Sequence, residues 1–371
     1  MDEKDYLIWL SSIPGLNLKR QNKMLEIFGS AHDIWYAPEK LILITDGVPK
    51  NILENIINYR SEKKLVAYEN LMLKNKVKFI SYLDKDYPKL LKQINDYPLG
   101  IYILGELPDD SKVKISIVGS RKYTEYGAYV TKKISRDLSK INIVIVSGMA
   151  RGIDSVAHEA AIDARGKTIA VLGCGLNICY PPENNKLREK IISNGCLISE
   201  FPLGTKPLTG NFPMRNRIIS GLSQGLIVTE ASEKSGTLIT VGHALEQGRE
   251  VMAVPGAINS TFSQGTNCLI KQGANLITDY KDVIELIGKT ELIGKNEILD
   301  KNMSEKNFLN KDIILDNDEK IIYSLIGLEQ TSFDFIVANA NLPINKLSSC
   351  LMMLEMQGVI RKLPGQKYVR V

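Results

Sequence analysis

The sequence predicts an α/β protein whose centre is an extended Rossmann-like, doubly wound parallel sheet, with a small helical domain before it and a winged-helix domain after it. Three observations carry this. Six apolar segments, "KISIVG", "NIVIVSG", "TIAVLG", "CLISE", "GLIVTE" and "EVMAVPG", are each followed by a loop with Gly, Ser or Pro and then by a helical stretch. The chain ahead of them is helical and broken by Gly and Pro, and the chain behind them reads as three helices and a hairpin.

From the N-terminus to Arg60, "DYLIWLSSIPGL", "QNKMLEIFG", "AHDIWYA", "PEKLILI" and "VPKNILENIINYR" are short helices, which sets a first domain at residues 1–70. Within it "IPGLNLKRQNKMLEIFG" resembles a helix-hairpin-helix, whose turn presents backbone N–H groups to phosphate. Asn17 stands where the second hairpin glycine belongs. Asparagine tolerates a left-handed conformation, so the turn is expected to persist. The other reading of this domain is a packing unit with no ligand.

Residues 71–288 form the second domain. Strands that are apolar throughout are buried on both faces, as in a parallel sheet covered by crossover helices. Ligands of such sheets bind beyond the carboxyl ends of the strands. A linker rich in Lys, Asn, Glu and Asp is expected at 289–312. In the last domain, 313–371, "DEKIIYSLI", "SFDFIVANA" and "NKLSSCLMMLEMQGVI" are helices, and "RKLPGQKYVRV" is a hairpin around Pro364 and Gly365.

Composition bounds the function. With 371 residues, 44% of them hydrophobic, the chain can bury two or three domain cores. No apolar run approaches the roughly 18 to 20 residues that span a bilayer, and "MDEKDYLIWL" is acidic where a signal peptide would be basic, so a cytoplasmic protein without membrane contact is expected. Five cysteines form no C-x-x-C pair, which points to reduced thiols and to no metal. A net charge of +5 permits an anionic partner without demanding one.

The loops after the strands are more specific. The first strand ends in Gly119-Ser120-Arg121. A dinucleotide site would need a second glycine here and an acidic residue closing the second strand, and the second strand closes instead with Ser147-Gly148. No nicotinamide or flavin cofactor is therefore expected. What remains is a helix mouth with backbone N–H groups, a hydroxyl and a guanidinium, which suits an anion arriving from outside. Alternatively, Gly119 makes a tight turn and Arg121 pairs with Glu125. The second loop exposes Arg151 beside Gly152, with Asp154 as the expected N-cap of the next helix and as the alternative partner of Arg151. His158 reads as a packed residue.

Between Lys206 and Thr229 there is no acidic residue, while Lys206, Arg215 and Arg217 add positive charge and Phe212 lies between Asn211 and Pro213. Solvated faces mix signs, whereas cations with an interleaved aromatic are what a single nucleic-acid strand needs. Phe212 could equally pin the loop to the sheet. Ser235-Gly236-Thr237 opens a further helix. Several anion-friendly mouths along one sheet edge outline a groove rather than a pocket for one small molecule.

Together "IVGSRKYTEYG", "VSGMARGIDSVAHEAA", "GKTIAVLGCGLNICYPPEN", "GCLISEFPLGTKP", "NFPMRNRIISGLS", "SGTLITVGHALEQGREVMAVPG" and "SQGTNCLIKQGA" resemble the DNA-processing protein A (DprA/Smf) family. The lead-in "YLDKDYPKLLKQINDYPLGIYILGEL" extends the match, so that it runs in order from Ser81 to Ile277. The resemblance implies a non-enzymatic recombination mediator. Such a protein binds single-stranded DNA cooperatively, dimerises through the Rossmann-like domain and helps load the RecA recombinase in natural transformation. Carried onto this sequence, it implies DNA contacts at Gly119, Ser120 and Arg121, at Ser147, Gly148, Arg151 and Gly152, at Lys206, Asn211, Phe212, Arg215, Asn216 and Arg217, and at Ser235, Gly236 and Thr237. The wing cations Arg361, Lys362, Lys367 and Arg370 are placed for duplex or a partner, while the expected recognition helix offers only Lys346. Leu269 and Ile270 are expected at the dimer surface.

Two rivals belong to other classes. Phosphoribohydrolases of the LOG type share this Rossmann variant and carry a catalytic glutamate where this chain has Thr240. Threonine cannot supply a carboxylate's charge or basicity at neutral pH, which leaves Glu230 as that reading's remaining carboxylate. A duplex-DNA regulator acting through the winged helix alone would need a more basic recognition helix.

Overall fold

In this computed structural model residues 1–288, 316–327 and 330–370 are described. The expected linker, 289–312, lies outside them. The chain divides into two compact units, one of residues 1–122 and 131–289, the other of residues 123–130 and 290–371.

The first unit opens with helices α1 (Glu3–Ser12), α2 (Leu18–Phe28), α3 (Ala31–Tyr36), α4 (Glu39–Leu43), α5 (Lys50–Tyr59) and α6 (Glu62–Lys74). Asp2 and Asp5 form a capping box at α1, which satisfies N–H groups that a helix start leaves free. Trp9 and Trp35 meet edge to face at 4.9 Å, and the Trp9 indole donates to the Tyr59 carbonyl at 2.9 Å. The left-handed residue of the α1–α2 turn is Gly15, at φ +80°, and a side chain there would meet Ile52 at 2.5 Å. Asn17 is not left-handed, against expectation: at φ −72° it caps α2, its side chain accepting from the Arg20 N–H. The Leu16 and Asn17 N–H groups bond to Ile13 and Gly15 within the turn, and Arg20 closes on the Gly15 carbonyl at 2.6 Å. Two of the turn's N–H groups are thus already bonded within it.

The sheet follows. Its strands are β1 (Lys78–Ser81), β2 (Gly100–Gly105), β3 (Lys114–Val118), β4 (Val144–Ser147), β5 (Thr168–Leu172), β6 (Gly195–Ser199), β7 (Gly225–Val228), β8 (Glu250–Ala253) and β9 (Asn275–Leu276). They pair in the order β1-β2-β6-β5-β4-β3-β7-β8-β9. All pairings from β6 to β9 are parallel, while β2 runs antiparallel to β6 and β1 antiparallel to β2. The lead-in to the six expected strands thus supplies an antiparallel edge.

Connections run through α7 (Lys89–Lys92), α8 (Glu125–Lys140), α9 (Ile153–Asp163), α10 (Asn185–Asn194), α11 (Asn211–Gly221), α12 (Thr237–Glu246), α13 (Gln264–Lys271) and α14 (Tyr280–Leu286). One core joins Trp9, Leu10 and Met24 of the N-terminal helices to Tyr102, Ala170, Leu172 and Leu197 of the sheet, and Ser11 and Tyr102 share a buried hydroxyl contact of 2.8 Å. The N-terminal helices therefore belong to the same unit as the sheet. A second core gathers Val146, Ile169, Ile198 and Leu226 with Ile218 and Ile219 of α11 and with Leu222, which follows it. Leu269, expected at a dimer surface, is 7% exposed and packs in this second core, with Ile270 half-buried against it. The apolar character of α13 is spent on the sheet.

The second unit holds α15 (Asn317–Leu325), α16 (Phe333–Ala340) and α17 (Ile344–Met356), with strands β10 (Thr331–Ser332), β11 (Ile360–Leu363) and β12 (Lys367–Arg370) ordered β10-β12-β11. Ile322, Ile336, Leu347, Leu351 and Tyr368 form its core. This is a winged helix, with β11 and β12 as the wing. Of the wing cations, Arg370 turns inward: its guanidinium lies 4.2 Å from the Tyr323 ring centre and donates to the Tyr323 carbonyl at 2.6 Å. Lys346 of α17 is ion-paired with Asp318. Among the described residues no helix is long and apolar enough to cross a membrane.

Candidate nucleic-acid interface

The carboxyl ends of β3, β4, β5 and β6 carry loops that meet in one cleft. It is lined by Arg121 from the first loop, Gly148, Ala150 and Arg151 from the second, Tyr180 and Pro181 from the third, and Phe212 and Arg215 from α11. None of these eight residues is acidic. Sequence reasoning quoted the segment that holds Tyr180 and Pro181 but did not single them out; they line the cleft where the β5 loop, through the Asn184 side chain, is bonded to the Met149 carbonyl of the second loop.

Close backbone approach builds the first two loops. The Ser120 N–H donates to the Glu230 carbonyl at 2.8 Å, and the Ser120 carbonyl accepts from the Ile153 N–H at 3.2 Å. Gly152 lies at φ +86°, where a side chain would come within 2.3 Å of the Ser120 carbonyl oxygen. Gly119 is constrained from the other side, since a side chain there would meet Ile153 at 2.7 Å. These glycines interlock two loops and thereby leave Arg121 exposed on the rim. Arg121 forms no ion pair among the described residues, and its guanidinium stands 6.0 Å from the Phe212 ring centre.

Gly152, not Asp154, occupies the N-cap of α9. Asp154 turns back instead, accepting from the N–H groups of Gly148 (3.2 Å) and Ala150 (3.3 Å). Burial raises its pKa above the ordinary carboxylate value, and the Arg215 charge opposes that shift. The Ser147 hydroxyl is buried and donates to the Ile117 carbonyl at 2.6 Å, so it offers nothing to a ligand. Arg151 is exposed and ion-paired with Glu183 rather than with Asp154. His158, expected to be packed, is fully buried with Nδ1 2.7 Å from the Thr168 hydroxyl. Thr168 donates its own proton to Ile145, which makes Nδ1 the donor in that contact.

Two of the expected DNA cations are buried. Arg215, 5% exposed, donates from Nη1 to the carbonyls of Gly148 (2.7 Å) and Val171, and from Nε to the Asn216 side chain at 3.1 Å. It is the floor of the cleft, and burial lowers its pKa to about 10. Arg217, 3% exposed, does not line the cleft and pairs with Asp96 at 3.0 Å and Glu200 at 2.6 Å. The acid-free run from Lys206 to Thr229 hid these partners because they come from other parts of the chain. Within that run Lys206 is the exposed cation without an ion pair among the described residues.

Phe212 is half-buried. It packs over Gly173, where a side chain would lie 3.0 Å from the ring, stands 5.4 Å from the Tyr180 ring and is flanked by Arg121 and by Arg215 at 5.8 Å. It thus pins the loop and also borders the cleft. Asn211 holds the entry to α11 by donating to the carbonyls of Gly173 (3.0 Å) and Lys206 (3.3 Å). Ser235 and Thr237 bond to each other at 2.9 Å, and the Thr237 hydroxyl donates to the Gly119 carbonyl at 3.1 Å. Ser235-Gly236-Thr237 therefore braces the first loop and does not line the cleft.

Against known proteins, a family model described as DNA recombination-mediator protein A matches residues 78–288, and one described as DprA winged helix domain matches 311–366. The chain belongs to the DprA/Smf family. Among its relatives, Protein Smf of Synechocystis sp. is 33% identical over 99% of both chains, and Protein Smf of Escherichia coli is 40% identical over 77% of this chain and 75% of its own. The crystal structure of DNA processing protein A from Streptococcus pneumoniae superposes with a TM-score of 0.66 at 35% identity, covering 76% of this chain and 97% of that one. A structure reporting the single-stranded DNA binding mode of DNA processing protein A from Helicobacter pylori gives 0.52 at 31% identity, over 58% and 96%.

Proposed function

We propose that this chain is a non-enzymatic, single-stranded-DNA-binding recombination mediator, acting as a cytoplasmic homodimer that protects incoming DNA and helps load RecA in natural transformation. The observation that carries the DNA-binding part is the cleft itself. Arg121 and Arg215 flank the Phe212 ring, and Arg151 lines the same cleft, whose eight lining residues include no carboxylate. Phosphates need cations along a track, and unstacked bases need an aromatic face. The Helicobacter pylori relative, for which a single-stranded DNA binding mode is reported, supports the same reading.

Burial argues against hydrolysis. Glu230 is 1% exposed and Thr240 is 2% exposed, so neither presents a base to a nucleotide. The recombinase step is tested by RecA ATP hydrolysis on a strand covered with single-strand-binding protein. Addition of this protein shortens the lag before hydrolysis; an unchanged lag at saturating protein would leave DNA binding without the mediator role.

A further inference from the structure

The two rim arginines are in different states. Arg121 forms no ion pair among the described residues, whereas Arg151 is held by Glu183. That pairing is built into the fold. Glu183 sits in the short helical turn Pro182–Asn184, directly after the Tyr180 and Pro181 that line the cleft. The next residue, Asn184, donates to the Met149 carbonyl at 2.9 Å and to the Ser155 hydroxyl at 2.9 Å, and these two residues flank Arg151. The turn bearing the carboxylate is thus bonded to the turn bearing the guanidinium.

We infer that Glu183 is a built-in competitor for the phosphate track, occupying Arg151 until a nucleic-acid phosphate displaces it. This rests on the single-stranded-DNA reading above. An isolated phosphate meets Arg121 without competition but must compete for Arg151. A strand already anchored at Arg121 presents its next phosphate at high effective concentration, and that phosphate takes Arg151 from the carboxylate. The cleft therefore favours a chain of nucleotides over a single one. Displaced Glu183 takes up a solvent cation, so Arg151 adds little net counterion release in the native protein.

The test is fluorescence anisotropy of labelled oligo-dT over a salt series, with the native protein, Glu183→Gln, Arg151→Ala and their combination, each checked for native stability by urea unfolding. Glu183→Gln keeps the side chain's size and removes its charge. It tightens oligo-dT binding by about two- to fivefold, the range of an exposed ion pair, and steepens the log–log salt slope by about 0.7, one further phosphate contact. Arg151→Ala costs less than about twofold in the native background and about two- to fivefold in the Glu183→Gln background. Unchanged or weaker binding by Glu183→Gln, or an equal cost of Arg151→Ala in both backgrounds, overturns the inference. Arg121→Ala separates the two levels. If it weakens binding while Glu183→Gln gains nothing, only the role of Glu183 fails; if it too has no effect, the cleft is not the DNA site and both readings fall.

Discussion

The Arg215 guanidinium donates to the Gly148 carbonyl at 2.7 Å, and a side chain on residue 148 would meet that guanidinium at 2.5 Å. The end of β4 and the start of α11 are therefore fitted to each other through one buried cation. This contact sets the floor of the cleft, on which Phe212 and the rim arginines stand.

Gly148→Ala forces the guanidinium off the Gly148 and Val171 carbonyls. The expected cost is about 2 to 3 kcal/mol, from overpacking and an under-bonded buried charge. Urea unfolding measures it, and oligo-dT binding falls in the same variant because Phe212 loses its support. A variant as stable as the parent would show that the loop absorbs the methyl group and that the fit is loose.

Arg217 was legible in the sequence as a cation and illegible as a partner. Asp96 and Glu200, which hold it, lie in segments whose proximity only the sheet order creates. Arg217→Ala strands Glu200 with an uncompensated charge and costs about 3 to 5 kcal/mol, while leaving oligo-dT affinity of the folded protein unchanged. Loss of affinity at full stability would restore Arg217 to the DNA surface.

The same contrast runs through the fold. Alternating apolar strands and Gly-rich loops made the parallel sheet readable, because burial on both faces leaves an uninterrupted apolar signature. Arg121 was readable as a cleft cation because a guanidinium just past a strand end has no local packing reason, and Phe212 was readable as a ring with two roles, pinning its segment to the sheet and bordering the cleft. The brace from Thr237 to Gly119, the inward turn of Asp154 and the burial of Leu269 were not, since each is decided by a residue distant in sequence. Asn17 was misread for a local reason: the turn places its left-handed residue at Gly15, which frees Asn17 to cap α2.

Phe212 borders the cleft with one face and pins its loop with the other. If a base stacks on it, Phe212→Ala lowers oligo-dT affinity by about 1 to 3 kcal/mol, and Phe212→Tyr largely restores it. Equal binding by the alanine variant, at unchanged stability, would confine the ring to pinning the loop.

Burial of His158, with the Arg215 charge nearby, lowers its pKa from 6.5 to about 3. Between these values the unfolded chain holds a proton that the folded chain refuses. His158 is therefore compatible with full stability above about pH 6.5 and costs stability as pH falls toward 3, with a slope of up to about 1.4 kcal/mol per pH unit. Asp154 and Glu200, whose pKa values burial raises, titrate in both the parent and a His158→Gln variant, so the difference between the two isolates the histidine. The urea midpoint of His158→Gln falls less steeply below pH 6.5 than that of the parent; parallel curves would mean that His158 takes up its proton in the folded state.

Arg121 on the cleft rim and the exposed Lys206 in the segment ahead of α11, neither ion-paired among the described residues, are the cations through which this surface is expected to hold a single strand of DNA. The most direct measurement is anisotropy of labelled oligo-dT and of a duplex of equal length, across a salt series, for the native protein and Arg121→Ala. The account predicts preference for the single strand, a log–log salt slope of about 1.4 per protomer from two free cations, and a slope lower by about 0.7 in the variant, with weaker binding. Equal affinity for duplex, or an Arg121→Ala variant that binds oligo-dT as the native protein does, would contradict it.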